Sequence, residues 1–515
     1  MKNIFKVTAF LGALLAFASC KSFLTEEPPA NVKVEDYYRK AADINASLAG
    51  LYGSFQLEML GDGTSKYGGK YHYWGEGRSD NFEESGYPNS VMVQLAFNGL
   101  TSGNAMSNWE GLYRTIAIAN NCIKYFPEIP KYDPAATQNM VNNGLAQAHA
   151  MRAMCYFYIV RLWGDAPMRT VPYEDLTEEP RLARTPKEEL MSSVIIPDLE
   201  KAYSLIVKQQ TANIWNLNEG AIAAVMADVY MWRAGTTKNT ADYTAAIGWF
   251  KKVFAAKGVT GVVYGETNAN LEPIATWKNL FLNPITTKEA IWSIHWNSTF
   301  NGCACIPVGK QKSNNPMMAD SLIHATWKKN KLDGRVLKTI DTLTGTNHQD
   351  KLLKYYNYAT QVVVADDPIP LNVYAVMYRL GDMYLLYAEA LNKTGDKANA
   401  LKMLNLIHVR AGLPAILATD PLVSTGGVLD ETKLEDAILQ ERQYETFGEG
   451  KRWFDLVRTD HVNKIMDPIL NRRRYSLSGI PSSVGFGPER GRLLWPIYKT
   501  LLEDNNKLVQ NQPYN

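Results

Sequence analysis

Between Ala437 and Arg458 the chain reads AILQERQYETFGEGKRWFDLVR, with eight charged residues among apolar ones. Glu441 and Glu445 stand one helical turn apart, and a pair of carboxylates is the minimum equipment of a glycosidase or a general acid–base site. Arg442 and Glu445 are neighbours at i and i+3, and the Gly448-Glu449-Gly450 break can turn the chain so that Arg452 and Arg458 approach those carboxylates. Buried acids and bases interleaved this closely more often set packing geometry than perform chemistry. Glu441, Arg442, Glu445, Arg452, Asp455 and Arg458 are therefore expected to form a structural charge network joining two helical arms, not a catalytic centre.

A different chemistry is offered by two aromatic stretches. Tyr71, Tyr73 and Trp74 precede Arg78, Asp80 and Asn81, with Tyr87 close behind, and the glycines at 75, 77 and 86 read as a loop. The second stretch holds Trp296, Asn297, Phe300 and Asn301. Flat aromatic rings stack on the C–H faces of sugars, while Asp, Asn and Arg satisfy hydroxyl groups in pairs. Tyr73, Trp74, Arg78, Asp80, Asn81, Tyr87, Trp296 and Phe300 are accordingly the candidate ligand contacts. The plainer reading of any one of them is a core aromatic, and Trp292, alternating with Ile294 in an expected strand, is assigned to the core.

The usual catalytic and cofactor motifs do not occur. There is no G-x-S-x-G elbow, H-E-x-x-H helix, P-loop or dinucleotide fingerprint. The seven histidines are scattered singly, with no second ligand at metal spacing. No catalytic residue, metal or cofactor is expected, although a glycoside hydrolase needs only two carboxylates, whose separation in space a sequence does not reveal.

The chain begins with Lys2 and Lys6, an apolar run from Val7 to Ala18, and Phe17-Ala18-Ser19-Cys20. This is a secretory signal with a cysteine at the cleavage point, and it looks like a bacterial lipobox. The run is too short to span a bilayer, which takes about 20 apolar residues, so the expected attachment is lipid on Cys20. Removing residues 1–19 takes both lysines and leaves 52 basic against 52 acidic side chains. A neutral body with no basic cluster has no footprint for nucleic acid or anionic lipid. Cys122 and Cys155 read as small buried hydrophobes, and the oxidation state of Cys303 and Cys305 stays open.

The elements that must position these residues are mostly helical. Apolar spacing predicts helices over Tyr38 to Leu51, Trp109 to Phe126 and Leu145 to Trp163, the last ended by Gly164 and Pro167. Thr185-Pro186-Lys187-Glu188 reads as a capping box opening a helix towards Ser204 with a kink at Pro197. Two helix-turn-helix pairs follow, Glu219 to Ala234 with Tyr243 to Ala255, and Tyr374 to Leu391 with Lys397 to Val409. Small residues at 388, 390, 398 and 400 allow close antiparallel approach, as in a tetratricopeptide unit. Short strands are expected at Ala290 to Ile294 and Val362 to Val364. The predicted fold is mainly α: a tetratricopeptide-like helical-pair scaffold with long loops and a few short strands. Its boundaries are a signal at 1–19, a lipidated cysteine and tether at 20–35, and a single body at 36–515. Within the body the helical scaffold covers about 36–256 and 371–460, a loop-rich ligand side 257–370, and a closing segment 461–515.

Several of these landmarks resemble one family. The order Glu441-Arg442, Glu445, Glu449-Gly450, Arg452, Asp455-Leu456, Arg458 resembles the C-terminal signature of the SusD/RagB lipoproteins. Arg152-Ala153, Trp163-Gly164-Asp165 and Pro167 resemble a second landmark, and Pro496-Ile497, Asn505, Leu508, Gln510-Asn511 and Tyr514 resemble its closing segment. The resemblance implies a SusD-like fold and a cell-surface, non-catalytic protein lipid-anchored in the outer membrane and facing the exterior. It would bind an oligosaccharide and deliver it to a SusC-like TonB-dependent transporter. A RagB-like peptide-binding subunit and a tetratricopeptide-like interaction scaffold are the alternatives. Ligand loops vary within such proteins, so the resemblance carries over no ligand contact residue by residue.

Overall fold

The computed structural model describes residues 34–61, 69–85, 90–175, 177–297, 301, 316–341, 352–355, 374–476, 485–487 and 490–514. Cys20 and its tether, Tyr87, Phe300, the Cys303–Cys305 pair and Val362 to Val364 lie outside the described residues.

Helix α1, Ala41–Leu60, buries Ile44, Leu48, Leu51, Phe55 and Met59, the three-to-four spacing of an amphipathic helix. Asp43 in its first turn accepts from the backbone N–H groups of Arg39 and Lys40 at 3.0 and 2.7 Å, fixing the entry of the chain. A short helix α2, Lys70–Gly75, and strand β1, Phe82–Glu84, follow. Helix α3, Glu110–Tyr125, then packs beside α4, Gln138–Trp163. Every residue of α4 from Ala150 to Trp163 is buried, the mark of a helix surrounded on all sides. It starts seven residues before the apolar pattern does, with Thr137 Oγ1 accepting from Met140 N–H as its cap.

The helix expected after Thr185 is built differently from its sequence reading. Pro186 occupies the cap position, no Thr185 side-chain cap forms, and Lys187 N–H is met instead by Asp165 Oδ1 at 2.9 Å. Met191–Ile195 forms a π turn immediately before Pro197, where the wider helix accommodates the missing donor, and α5 continues over Ile196–Leu205. Helices α6, Glu219–Thr237, and α7, Thr240–Ala255, are the first antiparallel pair.

Strand β2, Ala290–Ile294, buries all five residues, Trp292 included. A three-residue strand β3, Met317–Ala319, pairs with β1. The expected helix Tyr374 to Leu391 is in fact two elements, strand β4, Ala375–Arg379, antiparallel to β2, and helix α8, Leu380–Lys393. An apolar run buried on both faces has no strand alternation to betray it. Helix α9, Lys397–Arg410, completes the second pair. Helices α10, Glu431–Glu445, and α11, Arg452–Arg458, are the two arms of the charged stretch. Helix α6 packs on α7, α7 on α8, α8 on α9, and α10 covers both α8 and α9, so the pairs stack in sequence.

The closing segment is clipped to the end of α4. Trp495 N–H donates to Leu162 O at 2.6 Å and Trp163 Nε1 to Pro496 O at 3.0 Å. Asn511 Nδ2 bridges Trp163 O and Trp495 O. Among the described residues no helix is long and apolar enough to cross a membrane.

Candidate functional site

The charged stretch forms a buried network, with partners that the sequence does not place beside it. Glu441 and Glu445 do not meet Arg452 or Arg458. Arg335 reaches Glu441 at 2.7 Å and Glu445 at 3.0 Å while holding Asp333 bidentately. Arg379 donates to Glu289 at 2.7 Å, Glu445 at 2.6 Å and Glu449 at 2.8 Å, and Arg410 also donates to Glu445. Burial works against ionisation of Glu445, but the Arg410, Arg379 and Arg335 guanidinium groups outweigh it and hold the carboxyl well below the usual carboxylate range. Arg442 and Arg458 grip Asp455 at 2.9 and 2.8 Å, and Arg458 also meets Glu389. Arg452 crosses to Asp80 in a bidentate pair at 2.7 and 2.8 Å. The crossing follows from backbone contact. Gly450, at φ +68°, abuts Gly75, where an added Cβ would fall 2.0 Å from the Gly450 carbonyl oxygen. That contact presses the start of α11 against the α2–β1 segment, where Asp80 lies. These carboxylates are desolvated and paired with arginine, and they hold α8, α10, α11 and the β2–β4 sheet in register.

Tyr71, Tyr73 and Trp74 lie on the short helix α2 and not on a loop, Arg78, Asp80 and Asn81 lie on the turns that follow it, and all six face inward. Trp74 is fully buried, edge-on to Trp163 with centroids 5.6 Å apart, its Nε1 donating to Met106 O at 2.9 Å. Tyr73 is equally buried. Arg78 stacks over Trp453 at 4.4 Å and donates to Asn98 and Leu493 O. Asp80 and Asn81 both accept from Gln443 Nε2, at 2.7 and 3.0 Å. Trp296 is 1% exposed. These six side chains thus belong to the core and the network, and a solvent-facing platform at Tyr73, Trp74, Arg78, Asp80, Asn81 and Trp296 is ruled out by their burial. Gly75 and Gly77 serve close approach, an added Cβ at either meeting a neighbour within 3 Å.

A groove opens elsewhere, between the first half of α1, the N-terminal turns of α4 and the segment leading into α6. Its volume is about 520 Å³, within the range of ligand sites, roughly 300–1,000 Å³. Asn45, Leu48 and Tyr52 come from α1, Met140, Asn143 and Gln147 from α4, and Asn213, Trp215 and Asn216 from the connecting segment; His295 closes one end. Trp215 is half-buried, edge-on to His295 with centroids 4.8 Å apart and tilted against Tyr374 at 5.1 Å. Its loop is pinned to the sheet: Ser293 N–H donates to Ile214 O at 2.9 Å, and Asn218 Nδ2 to Ile291 O at 3.1 Å. Tyr52 accepts from Leu217 N–H at 2.7 Å and donates to Gln147 at 2.8 Å, tying the three walls together. The side-chain amides of Asn45, Asn143 and Asn216 have no hydrogen-bond partner among the described residues. A fixed aromatic beside free amides can stack on an apolar ring face and pair with hydroxyls around it. Sequence reasoning passed over this groove, although Trp215 with asparagines at 213, 216 and 218 is a visible signal. The second aromatic stretch does adjoin it: His295 O accepts from Gln56, and Asn301 Nδ2 donates to Gln56 Oε1 at 3.1 Å.

Among the described residues no three His, Cys, Asp or Glu side chains could hold a metal ion.

Comparison with known families places this geometry. One family model, described as "Starch-binding associating with outer membrane", matches residues 23–231, and a second, described as "SusD family", matches 369–514. The chain belongs to the SusD/RagB family. A SusD-like protein of Formosa agariphila is 26% identical over 100% of this chain and 99% of its own length. A SusD-like protein of Bacteroides ovatus is 22% identical, covering 96% and 89%. Among solved structures, a SusD homolog from Bacteroides thetaiotaomicron superposes with TM-score 0.71 at 20% identity over 93% of this chain and 100% of that one. NanU of B. fragilis gives TM-score 0.70 at 20% identity, over 95% and 100%. The mainly helical SusD fold expected from the sequence is therefore the observed one. Within this SusD/RagB chain, the second match takes in β4, α8 to α11 and the closing segment. All groove residues except His295 fall within the first.

Proposed function

We propose that this SusD/RagB chain is a non-catalytic glycan-binding protein, anchored through lipid on Cys20 at the outer face of the outer membrane. It captures an oligosaccharide in the Trp215 groove and hands it to a SusC-like TonB-dependent transporter. The observation that carries the glycan reading is the groove itself, an aromatic ring beside unpaired amides, set in the part of the chain matched by the starch-binding family model. The non-catalytic reading is supported by the network carboxylates, each committed to arginine and none lining the groove. The lipid anchor rests on the signal and lipobox at the start of the chain.

Trp215→Ala is expected to weaken oligosaccharide binding about tenfold with little change in melting temperature. Stacking a half-buried indole on a sugar is worth on the order of 1–2 kcal/mol at about 25 cal/mol per Å², and about 1.4 kcal/mol is one decade of affinity. Calorimetry with the wild type and the variant reads this directly; equal affinities would move the ligand away from the groove. Titrations with peptides alongside oligosaccharides decide the ligand class, heat from peptides alone favouring a RagB-like role. Incubation with the bound oligosaccharide should release no new reducing ends.

Cys20→Ala is expected to shift the protein from the membrane to the soluble fraction. A variant still sedimenting with membranes would overturn the anchor.

A further inference from the structure

We infer that the Trp215 groove selects neutral saccharide units and rejects acidic ones. This deepens the glycan-binding reading above and rests on it.

The thirteen described residues that line the groove include no Asp, Glu, Lys or Arg. The chain as a whole is 21% charged, so the absence is a property of the groove and not of the composition. His295 is the one basic side chain among the described lining residues, and burial pushes its pKa down, favouring the neutral imidazole. What remains is an indole, a phenol and five amides. A sugar hydroxyl is donor and acceptor at once, and each amide offers both an N–H and a carbonyl, so the match is complete without charge. A uronate carboxylate or sulfate ester is acceptor only. In this groove it would shed water, find amide N–H groups but no cation, and crowd amide oxygens that repel it. Leaving an ionised group without an opposite charge is the costliest arrangement a partly desolvated site can present.

Among the described residues little offsets that cost: Lys257, the cation of the adjoining cleft, stands outside the groove lining. A neighbouring cleft of about 390 Å³ shares Met140, Asn143, Gln147, Asn213 and Asn216 and adds Glu219 and Lys257. The Glu219 carboxylate is already engaged, accepting from Gln209 N–H at 2.7 Å and Tyr203 Oη at 3.4 Å. Arg161, Arg335, Arg379 and Arg410 are buried and ion-paired.

The test is native electrophoresis of the mature chain carrying Cys20→Ala through gels containing one polysaccharide each. The neutral set is amylopectin, laminarin, galactomannan and arabinan; the acidic set is polygalacturonate, alginate, carrageenan and chondroitin sulfate. Retardation by at least one neutral polymer is expected, weakened about tenfold in Trp215→Ala and again in Asn143→Ala, with no retardation by the acidic set. Retardation by an acidic polymer that either substitution abolishes would overturn the selectivity while leaving glycan capture standing. Retardation by none of the eight would overturn both. Circular dichroism melts of the two variants keep a lost interaction distinct from a lost fold.

Discussion

Replacing Arg379 with alanine is expected to destabilise the protein by about 3–5 kcal/mol, the cost of stranding buried carboxylates. Its guanidinium is wholly buried and meets three of them: Glu289 beside β2, Glu445 at the end of α10, and Glu449 in the glycine turn. Its Nη2 also donates to Glu445 O at 2.8 Å. Removing it leaves Glu449 to Lys354 alone, and leaves Glu289 and Glu445 to share Arg410, with Arg335 assisting only Glu445. Arg379→Lys should recover only part of the loss, because one ammonium cannot serve three carboxylates on a planar fork. The exposed Arg114–Glu110 pair, 3.2 Å apart, is the control, and Arg114→Ala should shift stability by no more than about 0.5 kcal/mol. Denaturant midpoints measure all three. An Arg379→Ala midpoint equal to that of the control would show that the network is not what holds the arms together.

Trp74→Ala should cost about 3–5 kcal/mol of stability and leave glycan affinity of the folded fraction unchanged. The indole fills the space between Tyr158 and Trp163, with the Lys70 ammonium 5.3 Å from its ring, and truncation removes both the contacts and the Nε1 donor to Met106 O. Trp296→Ala should act in the same direction, since that ring is buried as well. The pairing with Trp215→Ala is decisive: one tryptophan reports on stability, the other on binding. A Trp74→Ala protein that melted normally and bound glycan poorly would return α2 to the ligand site.

The helical scaffold was legible because helix formation is governed by spacing within one turn. The pair α8–α9 shows this, with Ala388, Ala390 and Ala400 buried and a three-residue link. The Tyr374 to Leu391 reading shows its limit: the strand Ala375–Arg379 is buried on both faces and apolar up to Arg379, so periodicity cannot part it from the helix it leads into. The groove escaped notice for a related reason. The first two turns of α4 carry Asn139, Asn142 and Asn143, poor helix formers that blur the apolar pattern, and Met140 and Asn143 of that extension line the groove.

What the sequence determined by itself is local: the helices with a clear apolar stripe, the buried character of Trp292, and the acid–base density at the C-terminal arms. Which charges meet was decided by the tertiary structure. Arg335 lies 106 residues from Glu441, and Arg379 and Arg410 lie 66 and 35 residues from Glu445. No helical period relates such positions. The fate of the aromatics was decided in the same way. Trp74 and Trp215 are each flanked by polar residues and glycine or asparagine in sequence, yet one is sealed against α4 and the other stands at an open cleft. An aromatic ring has the same transfer free energy wherever it stands; whether it is buried or offered to a ligand depends on which elements close over it.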